Sequence, residues 1–223
     1  MRKCFVIALA WPETLCKKAG GWYDPMMQFV GISKGNYYRV GHSAVILVDV
    51  QDGSCHYFDF GRYHAPGHHG RVRDAWSDHE LIIRTKAVIS NNQIENLQEL
   101  LYEIQSNNSC HGDGQIYASY IQGDFDNVYR KAKQMQEKVF IPYGPFVWKG
   151  TNCSRFVHTI VKYGNVTFLQ KVKMILPWVL SPSPLGILKG LGKIYTMPKI
   201  INIQVTELKS EYEYQTKYKY QTQ

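Results

Sequence analysis

Gly150-Thr151-Asn152-Cys153-Ser154-Arg155-Phe156-Val157-His158-Thr159-Ile160-Val161 is the stretch from which the rest of the chain can be read. Thr151 or Asn152 is a good helix N-cap, and Phe156, Val157, Ile160 and Val161 recur on one apolar helical face. Cys153 therefore falls in the first helical turn. Unpaired N–H groups and the positive end of the helix dipole favour a thiolate there, the reactive form of cysteine. The competing reading is a small buried hydrophobe, the usual fate of a free cysteine.

The bounds on the whole chain are loose. With 223 residues, 44% hydrophobic and 20% charged, it can bury a sizeable core in one domain. The net charge of +8 invites an anionic partner. Without a basic run of five, zinc-finger spacing or an aromatic RNA-binding signature, nucleic acid is not expected. Five cysteines spread without CxxC pairs argue against a disulfide framework. The apolar run from Cys4 to Trp11 is short, stops at Pro12 and lacks a convincing cleavage site, so it reads as a first strand and the expected location is cytoplasmic, with a periplasmic or envelope-associated one as the alternative.

Going outward from the helix, the clearest local pattern is a hairpin. Val40 to Asp49 is one strand, Asp52-Gly53 the turn, and Cys55 to Arg62 the return. A two-residue loop makes Gln51 oppose Ser54, Ile46 oppose Asp59 and Ala44 oppose Gly61. His42, Ala44, Ile46, Tyr57, Asp59 and Gly61 then share one face, and His56 lies on the other. Residues 62–80 read as a loop rich in His, Arg and Gly, and Leu81 to Ile89 as a further strand. Ser90 or Asn91 is expected to cap a helix with an Ile94, Leu97, Leu100, Leu101, Ile104 stripe, and Asp124 or Asp126 to cap a second helix through about Glu137.

A cysteine nucleophile needs a base within reach, and the base needs a group to hold its tautomer. His42 on a core strand and Cys153 at a helix start are suited to meet. Asp59, on the His42 face, is suited to orient the imidazole. The bland alternative is a strand histidine and an aspartate paired with Arg62. Gly41-His42-Ser43-Ala44-Val45, a polar residue on the next strand, and later Thr151-Asn152-Cys153-Ser154-Arg155-Phe156-Val157 resemble one branch of the NlpC-type, papain-like cysteine hydrolases. It is the circularly permuted branch, which includes YiiX-like and lecithin:retinol acyltransferase-like proteins. The resemblance covers roughly residues 38–62 and 140–163. It implies Cys153 as nucleophile, His42 as general base, and Asp59 as third member, with His56 a rival because the acyltransferase branch has histidine there. It also implies cleavage of a peptide- or peptidoglycan-like amide, or alternatively lipid acyl hydrolysis or transfer, with no cofactor. A binding module that keeps the fold without turnover is the non-enzymatic alternative.

Trp22, Tyr23, Tyr143, Phe146 and Trp148 are the candidate substrate-binding residues, suited to a peptide-like or amphiphilic acyl substrate. Cys55, His56, His64, His68, His69 and His79 supply metal-ligand atoms, but their spacing matches no standard site, and no metal is expected. Residues 165–199, with Lys171, Lys173, Lys189, Lys193 and Lys199 and no acid, read as a basic apolar arm, a lid or a membrane-surface element. The expected fold is α+β in one domain over 1–208. A central antiparallel sheet comes from 4–11, 40–49, 55–62 and 81–89, with 200–208 as an optional strand. The Cys153 helix and the two other helices lie together on one face, and 209–223 form a Tyr-rich tail or edge strand.

Overall fold

The computed structural model describes residues 2–197 apart from 19, 30, 32, 111 and 176–180. Its elements in chain order begin with β1 (Lys3–Trp11), β2 (Cys16–Lys17), α1 (Asp24–Phe29), β3 (Ser33–Lys34), β4 (Tyr37–Tyr38), β5 (His42–Asp49), β6 (Cys55–Gly61), β7 (His69–Arg73), β8 (Ile89–Ser90) and β9 (Gln93–Ile94). They continue with α2 (Leu97–Ser106), β10 (Ile116–Asp124), α3 (Phe125–Gln136), β11 (Ile141–Pro142), α4 (Cys153–Val161), α5 (Phe168–Lys173), α6 (Pro184–Leu191) and β12 (Tyr195–Met197). The fold is α+β. Seven strands form one antiparallel sheet in the order β11-β7-β6-β5-β1-β10-β12.

β1 lies at the centre because it can be buried on both sides. Along KCFVIALAW, Cys4, Val6, Ala8 and Ala10 face one way, and Phe5, Ile7, Leu9 and Trp11 the other. The small set leaves room for α3, α4 and α6 to pack closely through Val128, Phe156, Val157, Ile160 and Leu188. The bulky set meets Leu97, Leu100, Leu101 and Ile104 of α2. The helices thus occupy both faces, and α2 is not beside the Cys153 helix as the sequence reading had it. No helix among the described residues is long and apolar enough to cross a membrane.

The β5–β6 hairpin closes differently from the expected two-residue loop. The pairs are Ala44↔Asp59, Val45↔Phe58, Ile46↔Tyr57, Leu47↔His56 and Val48↔Cys55, a slip of two positions. Asp49 and Ser54 flank a four-residue loop: the Asp49 N–H donates to the Ser54 carbonyl at 2.9 Å, and the Asp49 carboxylate accepts the Gln51 N–H at 2.9 Å. Gly53 takes the positive φ of 72° that this closure needs. Because side chains alternate with period two, a slip of two leaves every facing assignment intact.

The stretch 81–89 is not a strand of the central sheet. A 3₁₀ turn ends at Leu81, and only Ile89–Ser90 pairs, with β9, in a separate two-stranded ribbon. Its backbone is satisfied by side chains of and just before α2 instead of by a ladder. Glu103 accepts from the N–H groups of Arg84 and Thr85 at 2.7 and 2.8 Å, and Asn96 accepts from Val88 N–H and donates to the Lys86 carbonyl. α2 accordingly starts at Leu97, later than the sequence suggested. α3 follows Asp124, whose carboxylate accepts from Asn127 N–H at 2.9 Å. The expected strand at 200–208 and the tail at 209–223 lie outside the described residues.

Candidate active site

α4 begins where its sequence says it should. The Asn152 side chain accepts the Arg155 N–H at 2.8 Å, so Cys153 is the first helical residue. The Arg155 guanidinium reaches back to the carbonyls of Gly144, Pro145 and Val147 at 3.1–3.3 Å, clamping the preceding loop onto the helix. Gly41, at φ 74°, immediately precedes His42; a side chain there would run into the backbone of Trp11 and Pro12. β5 therefore starts with His42 stacked on Trp11, ring centroids 5.8 Å apart.

α4 packs on the Val45, Leu47 and Phe58 face of the sheet, whereas His42 belongs to the Ala44 and Ile46 face. They meet around the end of β5. The Ser154 hydroxyl lies 3.9 Å from the Cys153 sulfur, and the Ser43 N–H and the His42 ring lie close enough to act on it. Ser43 and Ser154 are themselves 3.2 Å apart through their hydroxyls, tying strand to helix. Nε2 of His42 lies 3.7 Å from Oδ2 of Asp59, an ion-pair separation rather than a hydrogen bond.

Asp59 is wholly buried, and its partner is Arg73, not Arg62. Arg73 Nε and Nη2 donate to its two oxygens at 3.0 and 2.7 Å, and Tyr63 Oη donates to Oδ2 at 3.0 Å. Arg73 is in turn held by the Ser109 carbonyl and lies over the Tyr63 ring at 3.5 Å. Arg62 instead bonds the carbonyls of Lys17 and Lys18. The sequence reading missed Arg73 because residues 69–73 looked like loop. They form β7, and Arg73 sits directly opposite Asp59 in the β6–β7 ladder.

These contacts set the proton inventory. Burial alone pushes thiols up, and Cys4, Cys16, Cys55 and Cys110 rise to about 12. Burial acts on Cys153 too, but hydrogen bonding and charge from His42, with help from Ser154 and the Ser43 N–H, hold its thiol below the usual value. For His42, burial favours the neutral ring, yet Asp59 and Cys153 together raise it to about 9. Asp59, despite burial, is held at about 2 by His42 and Arg73. The two shifts run the same way, toward the thiolate–imidazolium form of the pair.

A cavity of about 290 Å³ opens in front of the sulfur. Tyr23, Tyr38, Tyr143, Phe146 and Cys16 are among its walls, and Ser181 to Pro184 line it as well. Of the five expected substrate-binding residues, Tyr23, Tyr143 and Phe146 line it. Trp22 packs on Tyr23 and Phe146 but is 75% exposed, and Trp148, 86% exposed, lies outside the lining. His56 pairs with Leu47 on the opposite face, packed against Phe125 and Tyr129. Among the described residues no three His, Cys, Asp or Glu side chains converge on a metal-sized position.

The family model of type VI secretion system effectors described as TseH-like matches residues 6–166, from β1 through the end of α4. The chain belongs to the TseH-like family. Among solved structures it is similar to that of the type VI secretion system effector TseH. The likeness has a TM-score of 0.59 at 18% identity, covering 89% of this chain and 94% of that one, and it speaks for the fold. Comparison with curated proteins gives no match. The TseH-like match spans β5, β6, β7 and α4, which between them carry His42, Asp59, Arg73 and Cys153.

Proposed function

We propose that this TseH-like chain is a thiol-dependent hydrolase of the circularly permuted papain-like type, cleaving an amide bond in a peptide- or peptidoglycan-like substrate. The observation that carries the reading is the convergence of Cys153, at the start of α4, with the end of β5 that bears His42, where Ser43 and Ser154 touch and the buried Asp59–Arg73 pair backs the imidazole. There the Cys153 thiol is held down while burial pushes the other four up. A buried group is shifted against its own desolvation only by specific partners, and such arrangements cluster at catalytic sites.

In the proposed mechanism the Cys153 thiolate attacks the scissile carbonyl carbon, and the carbonyl π electrons move onto oxygen. N–H groups of the first turn of α4, which lack intrahelical acceptors, stabilise that oxyanion. His42 gives its proton to the departing amine as the C–N bond breaks, leaving a thioester. The neutral imidazole then takes a proton from water, whose oxygen attacks the thioester and releases Cys153 as thiolate. Asp59, fixed by Arg73 and Tyr63, keeps the imidazolium oriented throughout.

Iodoacetamide at neutral pH tests the reading: Cys153 should be alkylated before Cys4, Cys16, Cys55 and Cys110. Equal or slower labelling of Cys153 overturns it. A second reading, lipid acyl hydrolysis or transfer through the same thioester, is favoured by the aromatic and aliphatic walls of the cavity. The mass of an adduct trapped on Cys153 separates the two: a peptide-derived acyl group supports the first, a fatty acyl group the second.

A further inference from the structure

From residue 138 to residue 206 the chain carries nine Lys and Arg and no Asp or Glu. The net charge of +8 is therefore concentrated there, and the rest of the chain is close to neutral. In the middle of this stretch stands α5. A helix on a globular domain turns its apolar side inward, and α5 does the reverse. It is anchored on α6 by Gln170, whose amide donates to the Leu191 carbonyl at 2.9 Å, and by Met174, buried against Gly190. A Thr167–Gln170 capping box fixes its start, and none of its own residues is buried. Phe168 (83% exposed), Leu169, Val172 and, one turn on, Ile175 all face solvent, with Lys171 and Lys173 exposed between them.

We infer that α5 and its lysines form a docking face for an anionic lipid surface. Exposed apolar side chains interleaved with lysines and free of carboxylates are the composition of helices that lie in a membrane interface. The centre of a protein–protein interface is depleted in lysine, so this interleaving disfavours a protein partner. The chain's own 198–223 segment is a poor occupant as well: its four lysines outnumber Glu207, Glu211 and Glu213, so it is not complementary to a cationic face. The face also adjoins the site in sequence. Ser181 to Pro184, which line the cavity before Cys153, follow α5 within a few residues.

Flotation of the full chain with vesicles of phosphatidylcholine alone, or of phosphatidylcholine with phosphatidylglycerol, tests the inference. Binding should be at least about tenfold stronger to the anionic vesicles and should fall away at about 0.5 M salt. Replacing both lysines, Lys171→Gln with Lys173→Gln, should weaken binding by about thirtyfold, at roughly a tenfold or smaller factor per charge. Phe168→Ser with Val172→Ser should weaken it by at least about tenfold, and both pairs are exposed, so folding is preserved. The docking face is independent of the thiol chemistry, so Cys153→Ala must bind like the parent. No binding, equal binding to both vesicles, or binding lost on removing 198–223 but indifferent to the α5 substitutions would each overturn the inference.

Discussion

Replacing His42 with alanine removes the partner that most opposes desolvation of the Cys153 thiol. What remains is a buried cysteine in a cavity it shares with Cys16, and Cys16, lacking an imidazole, is pushed up to about 12. If Cys153 relaxes toward that value, its thiolate fraction at pH 7 becomes about one in 10⁵. The rate does not fall by the same factor. A more basic thiolate is a better nucleophile, with a Brønsted slope of about 0.4–0.5, which returns a little under half of the lost decades. The Ser43 N–H, Ser154 and the helix start persist and reclaim some of the rest. Alkylation of Cys153 should slow by about a hundred- to a thousandfold, followed by peptide mass spectrometry at fixed iodoacetamide, with far-UV circular dichroism confirming the fold. The same variant should gain speed more steeply than the parent as pH rises past 9. A slowing of less than about tenfold would refute the argument that His42 sets the ionisation of the sulfur.

Arg73→Met should cost about 3–5 kcal/mol in urea unfolding, because it leaves the buried Asp59 carboxylate without its bidentate partner, whereas Arg73→Lys should cost less. A cost under about 1 kcal/mol would mean the carboxylate finds another cation. Asp59 is depressed from 3.8 to about 2, so its contribution is present above about pH 4 and lost as pH falls toward 2, on the order of 2 kcal/mol. Stability of the parent should therefore fall more steeply over that window than stability of Asp59→Asn; parallel slopes would contradict it. Asn152→Ala should lower stability by about 1 kcal/mol through loss of the α4 cap and should also slow Cys153 alkylation, while Asn152→Asp keeps both. An unchanged melting temperature in the alanine variant would show that the cap contributes nothing.

The sequence was most legible where a single physical rule acts locally. The apolar period and the Asn152 cap are enough to find α4, and alternation is enough to put His42 and Asp59 on one side of their hairpin. It was least legible where a side chain replaces a ladder. Nothing in Leu81 to Ile89 says that Glu103 and Asn96 will satisfy its backbone, so an apolar run read as a strand becomes a tethered loop. Arg73 was hidden for the opposite reason: His69 and Gly70 look like loop residues, yet they pair with β11 and carry Arg73 to the Asp59 carboxylate. The central partner of β1 was missed too. β10, which mixes Tyr117, Ser119, Tyr120 and Gln122 with its apolar residues, is recognisable only once β1 is known to need a neighbour on that side. Trp22 and Trp148 were attractive by type, but packing left them at or beyond the rim.

The corner from Val50 to Gly53 carries a constraint of parity. Evolution or an engineer can take two residues out of that bend, or add two, and the carboxylate will still look toward the imidazole. A slip of the ladder by one residue would instead turn Asp59 to the opposite layer, against the Phe58 and Phe60 side where α3 and α4 pack, and part it from Arg73.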